Sequence, residues 1–220
     1  MLLSIKSLSH TIFDGQQKRE ILSNVNFSLQ QGESVALMGD SGSGKTTFLN
    51  LIAGLVPVQQ GEIDIIGFPV HQATDAELSA LRKNTLSIIF QQFNLLESLT
   101  VEDNIAFSAR LAGRYDSEHC RELSEQLGLM HLLHKRPDEI SGGEEQRVAI
   151  ARSLAAKPAL LLADEPTGNL DRKNSDQVVA SLLDLARQQQ TGLVMVTHSH
   201  VVAERVGQVQ ELVNGKLVSV

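Results

Sequence analysis

The chain has 220 residues, 42% of them hydrophobic and 20% charged, which indicates a globular chain and not a disordered one. Its 19 basic and 26 acidic residues give a formal net charge of −7, and this argues against nucleic acid or an anionic lipid surface as a partner. The single cysteine, Cys120, excludes a disulfide within the chain and fits a reducing compartment, and the absence of tryptophan disfavours a base-stacking surface.

Neither a membrane span nor a secretory signal is predicted. No apolar run approaches the roughly 20 residues needed to cross a bilayer. The first residues, MLLSIKSLSHTIF, are interrupted by polar side chains and lack the apolar core of a signal peptide. We therefore expect a cytosolic protein that works at a membrane only by docking onto a partner that spans it.

In the first third of the chain, strands predominate. Val25, Phe27 and Leu29 alternate with polar residues, as in a half-buried strand. Residues 34–38 predict a buried strand ending at Gly39, and the apolar spacing over 45–53 predicts a helix. Further short apolar runs predict strands at 62–66, 86–90, 160–163 and 193–196.

The pattern changes between residues 91 and 158, which are more polar, mostly helical in spacing and without a confident strand. Beyond them, apolar residues between 178 and 186 follow the spacing of an amphipathic helix. The sum predicts a mixed α/β core interrupted by a helical insertion.

A glycine-rich phosphate-binding motif, G-x-x-x-x-G-K-[ST], follows the strand at 34–38 and opens the helix at 45–53. Its glycines allow a sharp turn whose N–H groups point at an anion, and the helix adds its positive dipole end. Lys45 would contact the β- and γ-phosphates and the Thr46 hydroxyl would coordinate Mg²⁺. The predicted nucleotide-binding residues here are Gly39, Asp40, Ser41, Gly42, Ser43, Gly44, Lys45, Thr46 and Thr47.

Two carboxylates end the apolar run at 160–163. A buried strand that stops at Asp164 would deliver this carboxylate to the carboxyl edge of the sheet, where it would hold Mg²⁺. Glu165 would face the γ-phosphate as general base or orient the attacking water. Taken without the phosphate loop, the same pattern would fit an acidic helix cap equally well.

Ser141, Gly142 and Gly143 stand at the head of an apolar helix and form a second potential phosphate-binding helix terminus. One nucleotide does not need two such sites on one chain, but two facing chains would use both. An ordinary N-capped helix is the alternative.

The segments GDSGSGKTT, SGGEEQR and LLLADEP, in this order, resemble the ATP-binding subunits of ABC transporters over essentially the whole chain. The resemblance implies that Gln91 contacts Mg²⁺ and water, that the loop at Asp171 crosses a dimer interface, and that His198 touches the γ-phosphate. It also places Phe13 where an adenine-stacking aromatic is expected, although a core or edge aromatic is an alternative. Ile140, Glu145 and Ser199 depart from the commonest pattern without touching the phosphate chemistry.

The resemblance implies one ABC ATPase domain with a P-loop NTPase core (1–90 and 156–220), an antiparallel β-subdomain and a helical subdomain (91–155). We expect a homodimer around two ATP and Mg²⁺, bound to an integral membrane permease on the cytoplasmic face of the inner membrane, with no nucleic acid. ADEPTGNLD resembles the branch that serves lipoprotein release, macrolide efflux and cell division. A soluble ABC ATPase of assembly or repair and a regulator at a division site stay open as alternatives.

Overall fold

The computed structural model of the chain describes residues 1–14, 17–168 and 172–220, which form two β-sheets and a set of surrounding helices. The strands are β1 (Leu3–Asp14), β2 (Gln17–Leu29), β3 (Ser34–Met38), β4 (Gln60–Ile65), β5 (Phe68–Pro69), β6 (Leu86–Ile89), β7 (Leu160–Asp164), β8 (Gly192–Val196), β9 (Gln208–Val213) and β10 (Lys216–Ser219). The α-helices are α1 (Lys45–Ile52), α2 (Asp75–Asn84), α3 (Val101–Leu111), α4 (Ser117–Gln126), α5 (Gly142–Ala155), α6 (Arg172–Gln188) and α7 (His200–Val206).

The smaller sheet is antiparallel, with strand order β2-β1-β4-β5. The predicted strand around Val25 is confirmed as part of β2, and the strand predicted at 62–66 is β4, which begins two residues earlier. The sequence did not single out β1, because a register shift after Ile5 and a positive φ of 50° at Ser7 break the alternation of its apolar residues.

The larger sheet has the order β10-β9-β3-β8-β7-β6. Its strands pair in parallel from β9 to β6, and only β10 runs antiparallel to its neighbour β9. The predicted strands at 34–38, 86–90, 160–163 and 193–196 are confirmed as β3, β6, β7 and β8. The strand β6 ends one residue before its predicted end, at Ile89, because Phe90 already lies at the surface.

Both faces of this larger sheet are covered, which explains why its strands are apolar without alternation. In β7, Leu160 and Leu162 pack with α1 and the antiparallel sheet, in a cluster that includes an edge-to-face contact of Phe27 and Phe48. Leu161 and Ala163 point the other way and pack with residues of α5 and α6. The two hydrophobic clusters therefore share the sheet as a common wall.

Helices fill the segment between β6 and β7, as predicted, and none of residues 91–158 lies in a strand. Its loop at 96–100 is fixed by Asn104 of α3, a fully buried amide that bonds to the backbone of Leu96, Leu99 and Thr100. The amphipathic helix predicted near the end is confirmed as α6. None of the helices in the described ranges is long and apolar enough to cross a bilayer.

Candidate functional site

The predicted catalytic residues meet at the carboxyl edge of the larger sheet. The phosphate loop follows β3, His198 lies two residues after β8, Glu165 directly follows β7, and Gln91 lies two residues after β6. These four strands are neighbours in the order β3-β8-β7-β6, so their carboxyl ends form one continuous edge. Ligands of open α/β sheets bind at this edge.

Glycines shape the phosphate loop in the way that the sequence predicted. Gly39 has a φ of 141°, and a Cβ added to it would lie 2.7 Å from the carbonyl oxygen of Leu212. Gly44, with a φ of 107°, is the residue from which α1 begins. No other residue type fits the turn at Gly39, because a side chain there would collide with the neighbouring strand β9.

Lys45 occupies the inside of the loop. Its side chain is only 5% exposed, and its Nζ donates hydrogen bonds of 2.8 Å to the carbonyl oxygens of Gly39 and Asp40. Burial lowers the pKa of Lys45, while the nearby carboxylates of Glu165, Asp164 and Asp40 act in the opposite direction. The Ser43 hydroxyl is also buried and has no hydrogen-bond partner in the described part of the chain. A buried cation beside an unsatisfied hydroxyl fits a loop built to receive a phosphate.

Asp164 and Thr46, two of the three predicted magnesium-contacting residues, lie in contact although they belong to β7 and α1. The Thr46 hydroxyl donates a hydrogen bond to the Asp164 carboxylate. Burial is the main reason that the pKa of Asp164 is raised, with the charge of Glu165 adding to it. A half-buried carboxylate next to a hydroxyl is the oxygen-rich donor set that Mg²⁺ prefers.

Glu165 leaves the strand by a left-handed turn. Its φ is 47°, its N–H donates to the carbonyl oxygen of Val196, and its own carbonyl oxygen accepts from the N–H of Gly168. The carboxylate Oε1 lies 2.8 Å from Nε2 of His198. A cavity of about 490 Å³ opens beside this pair, lined also by Gly168 and Thr197. The structure therefore brings two of the predicted catalytic residues within hydrogen-bond distance of each other beside a cavity.

Gly168 was not predicted as a site residue, yet it lies between two residues that were. A Cβ added to it would come within 3.3 Å of both Nε2 of Gln91 and Oε2 of Glu165. Gln91 and Glu165 therefore approach each other across this glycine. The signal available in the sequence was a glycine three residues beyond Glu165, where the chain must turn back.

Ser141, Gly142 and Gly143 lie at the start of α5, in the helical insertion. Ser141 is an exposed N-cap whose N–H and hydroxyl both donate to Oε2 of Glu144, each at 2.7 Å. The N-capped helix that the sequence left as an alternative is thus present. It is compatible with phosphate binding, because the first N–H groups of a helix have no partners within it.

Phe13 and Asp171 are the remaining predicted nucleotide-binding residues, and only Phe13 lies within the described ranges. Phe13 is on β1 and 74% exposed, so it is not a core aromatic, and its ring is accessible to a ligand. Asp171 lies outside the described residues, as do Asn169 and Leu170.

Arg152 of α5 is a further residue that the sequence analysis missed. Its guanidinium donates to the carbonyl oxygens of Phe93 (2.9 Å) and Asn94 (2.6 Å), just after Gln91. Burial lowers the pKa of this arginine. A groove of about 380 Å³ beside it is lined by Leu55, Phe107 and Leu111 and by three cations, Arg82, Lys83 and Arg152. A lone arginine within an otherwise apolar stretch of helix was the only signal in the sequence.

Comparison with known proteins agrees with this geometry. The family model described as ABC transporter matches residues 22–168. An uncharacterized ABC transporter ATP-binding protein of Mycobacterium tuberculosis is 42% identical, over 99% of this chain and 89% of its own length. The lipoprotein-releasing system ATP-binding protein LolD of Geobacter metallireducens is 38% identical over 99% of this chain and 98% of its own.

Among solved structures, the ATP-binding cassette MJ0796, in a dimeric post-hydrolysis state bound to ADP and Pi, is similar with a TM-score of 0.88. It is 33% identical, and the match covers 98% of this chain and 96% of that one. The predicted fold class is confirmed by this similarity, and the family, the ATP-binding role and the ATPase activity are supported by the same comparisons. The chain therefore belongs to the ABC transporter family, as one of its ATP-binding subunits with ATPase activity.

Proposed function

We propose that two copies of this chain close around two ATP molecules, with Mg²⁺, and pass the resulting movement to an integral membrane permease. The observation that carries this proposal is the position of the α5 N-terminus. It is exposed on the helical insertion, while the phosphate loop, Asp164 and Glu165 sit at the edge of the larger sheet. A second copy would supply its Ser141 to Gly143 to the ATP held by the first. The dimeric state of the similar cassette MJ0796 supports this arrangement.

Within one copy, the phosphate loop binds the phosphates of ATP and Glu165 promotes their hydrolysis. Lys45 exchanges its bonds to the loop carbonyls for the phosphates of ATP, which are stronger partners because they are charged. Thr46, Asp164 and Gln91 would hold Mg²⁺, which would supply positive charge to offset that of the phosphates. Gln91 orients the water, the exposed ring of Phe13 stacks on the base, and Asp171 belongs to the loop at the interface.

Glu165 serves as the general base once its carboxylate is released from His198. In the described structure this carboxylate is bound to Nε2 of His198 at 2.8 Å. Arrival of the γ-phosphate gives His198 a competing anion, so that Glu165 becomes free to accept a proton from water. ATP thereby favours the state in which Glu165 and His198 are apart, and ADP, which lacks the γ-phosphate, favours the state in which they are in contact.

The permease would bind in the groove beside Arg152. This groove lies between α2 and β6 on one side and α3 and α5 on the other, and it exposes Phe107 and Leu111. Arg152 connects the groove to the segment after Gln91. Movement of residues 91–155 as a subdomain would therefore change the shape of the groove. Docking at this groove would place the chain at the cytoplasmic face of the inner membrane. The similarity to LolD supports a permease of the lipoprotein-release or macrolide-efflux type.

The test is the variant Glu165→Gln, which keeps the shape of the side chain and removes the base. With ATP we expect it to form a stable dimer, measured by sedimentation, and to hydrolyse ATP at least about 100-fold more slowly than the unaltered chain. ADP should not support the dimer, because it lacks the γ-phosphate. Turnover at the unaltered rate would contradict the role of Glu165, and a monomer in saturating ATP would contradict the shared site.

The ATP-loaded variant should also be recovered with its partner from gently solubilised membranes of the source cell. A multi-spanning protein at near-equal stoichiometry is the expected result. Recovery of soluble proteins alone would contradict a permease partner and would favour an ABC ATPase of assembly or repair.

A further inference from the structure

The hydroxyl of Ser141 is already engaged when no second chain is present. One oxygen of Glu144, Oε2, accepts both the backbone N–H and the hydroxyl of Ser141, each at 2.7 Å. A serine hydroxyl carries one proton. In this structure the hydroxyl donates that proton in a hydrogen bond to the Glu144 carboxylate, and the negative charge of the acceptor strengthens the bond.

Glu144 is an anion in this setting. The hydrogen bonds from Ser141 are the main reason that its pKa is lowered, and the positive charges of Arg147 and His131 act in the same direction, whereas its burial acts in the opposite direction. Its charge sits in the first turn of α5, at the end whose free N–H groups attract anions. A γ-phosphate arriving at Ser141 would therefore meet a carboxylate that already holds the hydroxyl.

We infer that Glu144 is a positioning residue that holds the Ser141 hydroxyl while the chain is alone and opposes closure of the ATP-bound dimer. This inference rests on the proposed function, in which Ser141 contacts the ATP of the second copy. Closure requires the Ser141 hydroxyl to turn its hydrogen bond from the Glu144 carboxylate to the γ-phosphate. The carboxylate then remains beside a second anion, so the closed state is less stable than it would be with a neutral side chain.

Glu144→Gln tests this because glutamine can also form a capping box with Ser141, without the charge. In the Glu165→Gln background, we expect Glu144→Gln to lower the ATP concentration that gives half-maximal dimer by about tenfold. In the chain with Glu165 intact, KM for ATP should fall and kcat should not rise, because the closed state opens more slowly.

The control is Glu139→Gln. Like Glu144, Glu139 accepts a hydrogen bond from the backbone N–H three residues before it, that of Arg136, at 2.7 Å. Unlike Glu144, it binds no serine hydroxyl. We expect this variant to dimerise at the same ATP concentration as the Glu165→Gln background. A shift as large as that of Glu144→Gln would show a general charge effect and would overturn the inference.

Ser141→Ala separates the local role from helix stability. Without the hydroxyl, Glu144→Gln should keep the part of its effect on the ATP concentration for dimerisation that comes from charge repulsion, and should lose the part that comes from holding the hydroxyl. An unchanged or raised ATP requirement of Glu144→Gln, or an equal effect with and without Ser141, would overturn the inference. If Glu165→Gln itself failed to dimerise in ATP, the proposed function would fail first, so the two failures are distinguishable.

Discussion

Glu165 holds a backbone conformation that is costly for any residue with a Cβ. A φ of 47° outside glycine disfavours the chain by roughly 1–2 kcal/mol, and the surrounding hydrogen bonds to Val196 and Gly168 must impose it. The turn brings the carboxylate to His198 at the end of the neighbouring strand. Strain at a single residue is thus tied to the position of the proposed base.

Asp164 is a second residue whose placement costs stability. Its pKa is raised in the folded chain, chiefly by burial, so the ionised form destabilises the fold. This cost is fully present above the raised pKa, and it is absent below the pKa of an aspartate in the unfolded chain, about 3.9.

Asp164→Asn should therefore make the chain more stable and less active. At pH 7 to 8 we expect the melting temperature to rise by about 2–4 °C, the shift that roughly 1 kcal/mol gives in a chain of this size. The gain should shrink as the pH falls through the raised pKa towards 4. Thermal unfolding across this pH range is the measurement, with the exposed Asp184→Asn as control. A gain as large at pH 4 as at pH 7 would contradict burial of the charge as its cause.

At the scale of elements, α5 links regions that are distant in sequence. Its start carries Ser141, its apolar residues pack against the larger sheet, and Arg152 near its end bonds the segment after Gln91. The ring of Phe93, from that same segment, lies within 3.7 Å of where a Cβ on Gly142 would be. One helix therefore connects Ser141 at its start with the segment after Gln91 and with the groove.

Arg152→Ala should weaken this link. We expect a loss of about 2–3 kcal/mol in the free energy of unfolding, because two backbone carbonyls lose a charged donor. Denaturant titration measures this, and Arg121→Ala, which breaks an exposed pair with Glu125, should cost under about 0.5 kcal/mol. We expect the Arg152→Ala substitution to reduce the basal ATPase activity of the isolated chain less than it reduces the stimulation of that activity by the permease. Equal losses of both activities would argue against a coupling role.

For the whole molecule, the groove beside Arg152 is the surface that we propose for permease binding. Leu111 is 60% exposed at its rim, so replacing it need not disturb the core. The walls of the groove carry positive charge on a chain whose net charge is −7. Its apolar and cationic character is distinct from that of the acidic chain as a whole.

Leu111→Asp should separate ATP hydrolysis from partner binding. We expect ATPase activity of the isolated chain to stay within about twofold, and recovery of the permease with the ATP-loaded chain to fall about tenfold, the effect of losing one apolar anchor. Val218→Asp, at a 50% exposed site on β10, is the matched control. Normal recovery of the permease with Leu111→Asp would exclude the groove as its binding site.

The phosphate loop, the carboxylates of Asp164 and Glu165 at the end of β7, and the helical insertion could all be predicted from the sequence. Each of these is a local signal: a loop needs glycines at fixed spacing, and a strand buried on both faces is an apolar run that ends abruptly. The strand β1 was not predicted, because its bulge at Ser7 interrupts the alternation of apolar and polar residues by which a strand is recognised in a sequence.

Which of these residues lie next to one another depends on how the whole chain folds. The order β3-β8-β7-β6 brings Lys45, His198 and Glu165 to one edge although 153 positions separate the first from the second. The contacts of Gly168 with Gln91, of Thr46 with Asp164 and of Arg152 with Phe93 likewise join separate segments. Strand order and helix packing follow from burial of apolar surface across the whole chain, so no local pattern could have specified these pairs.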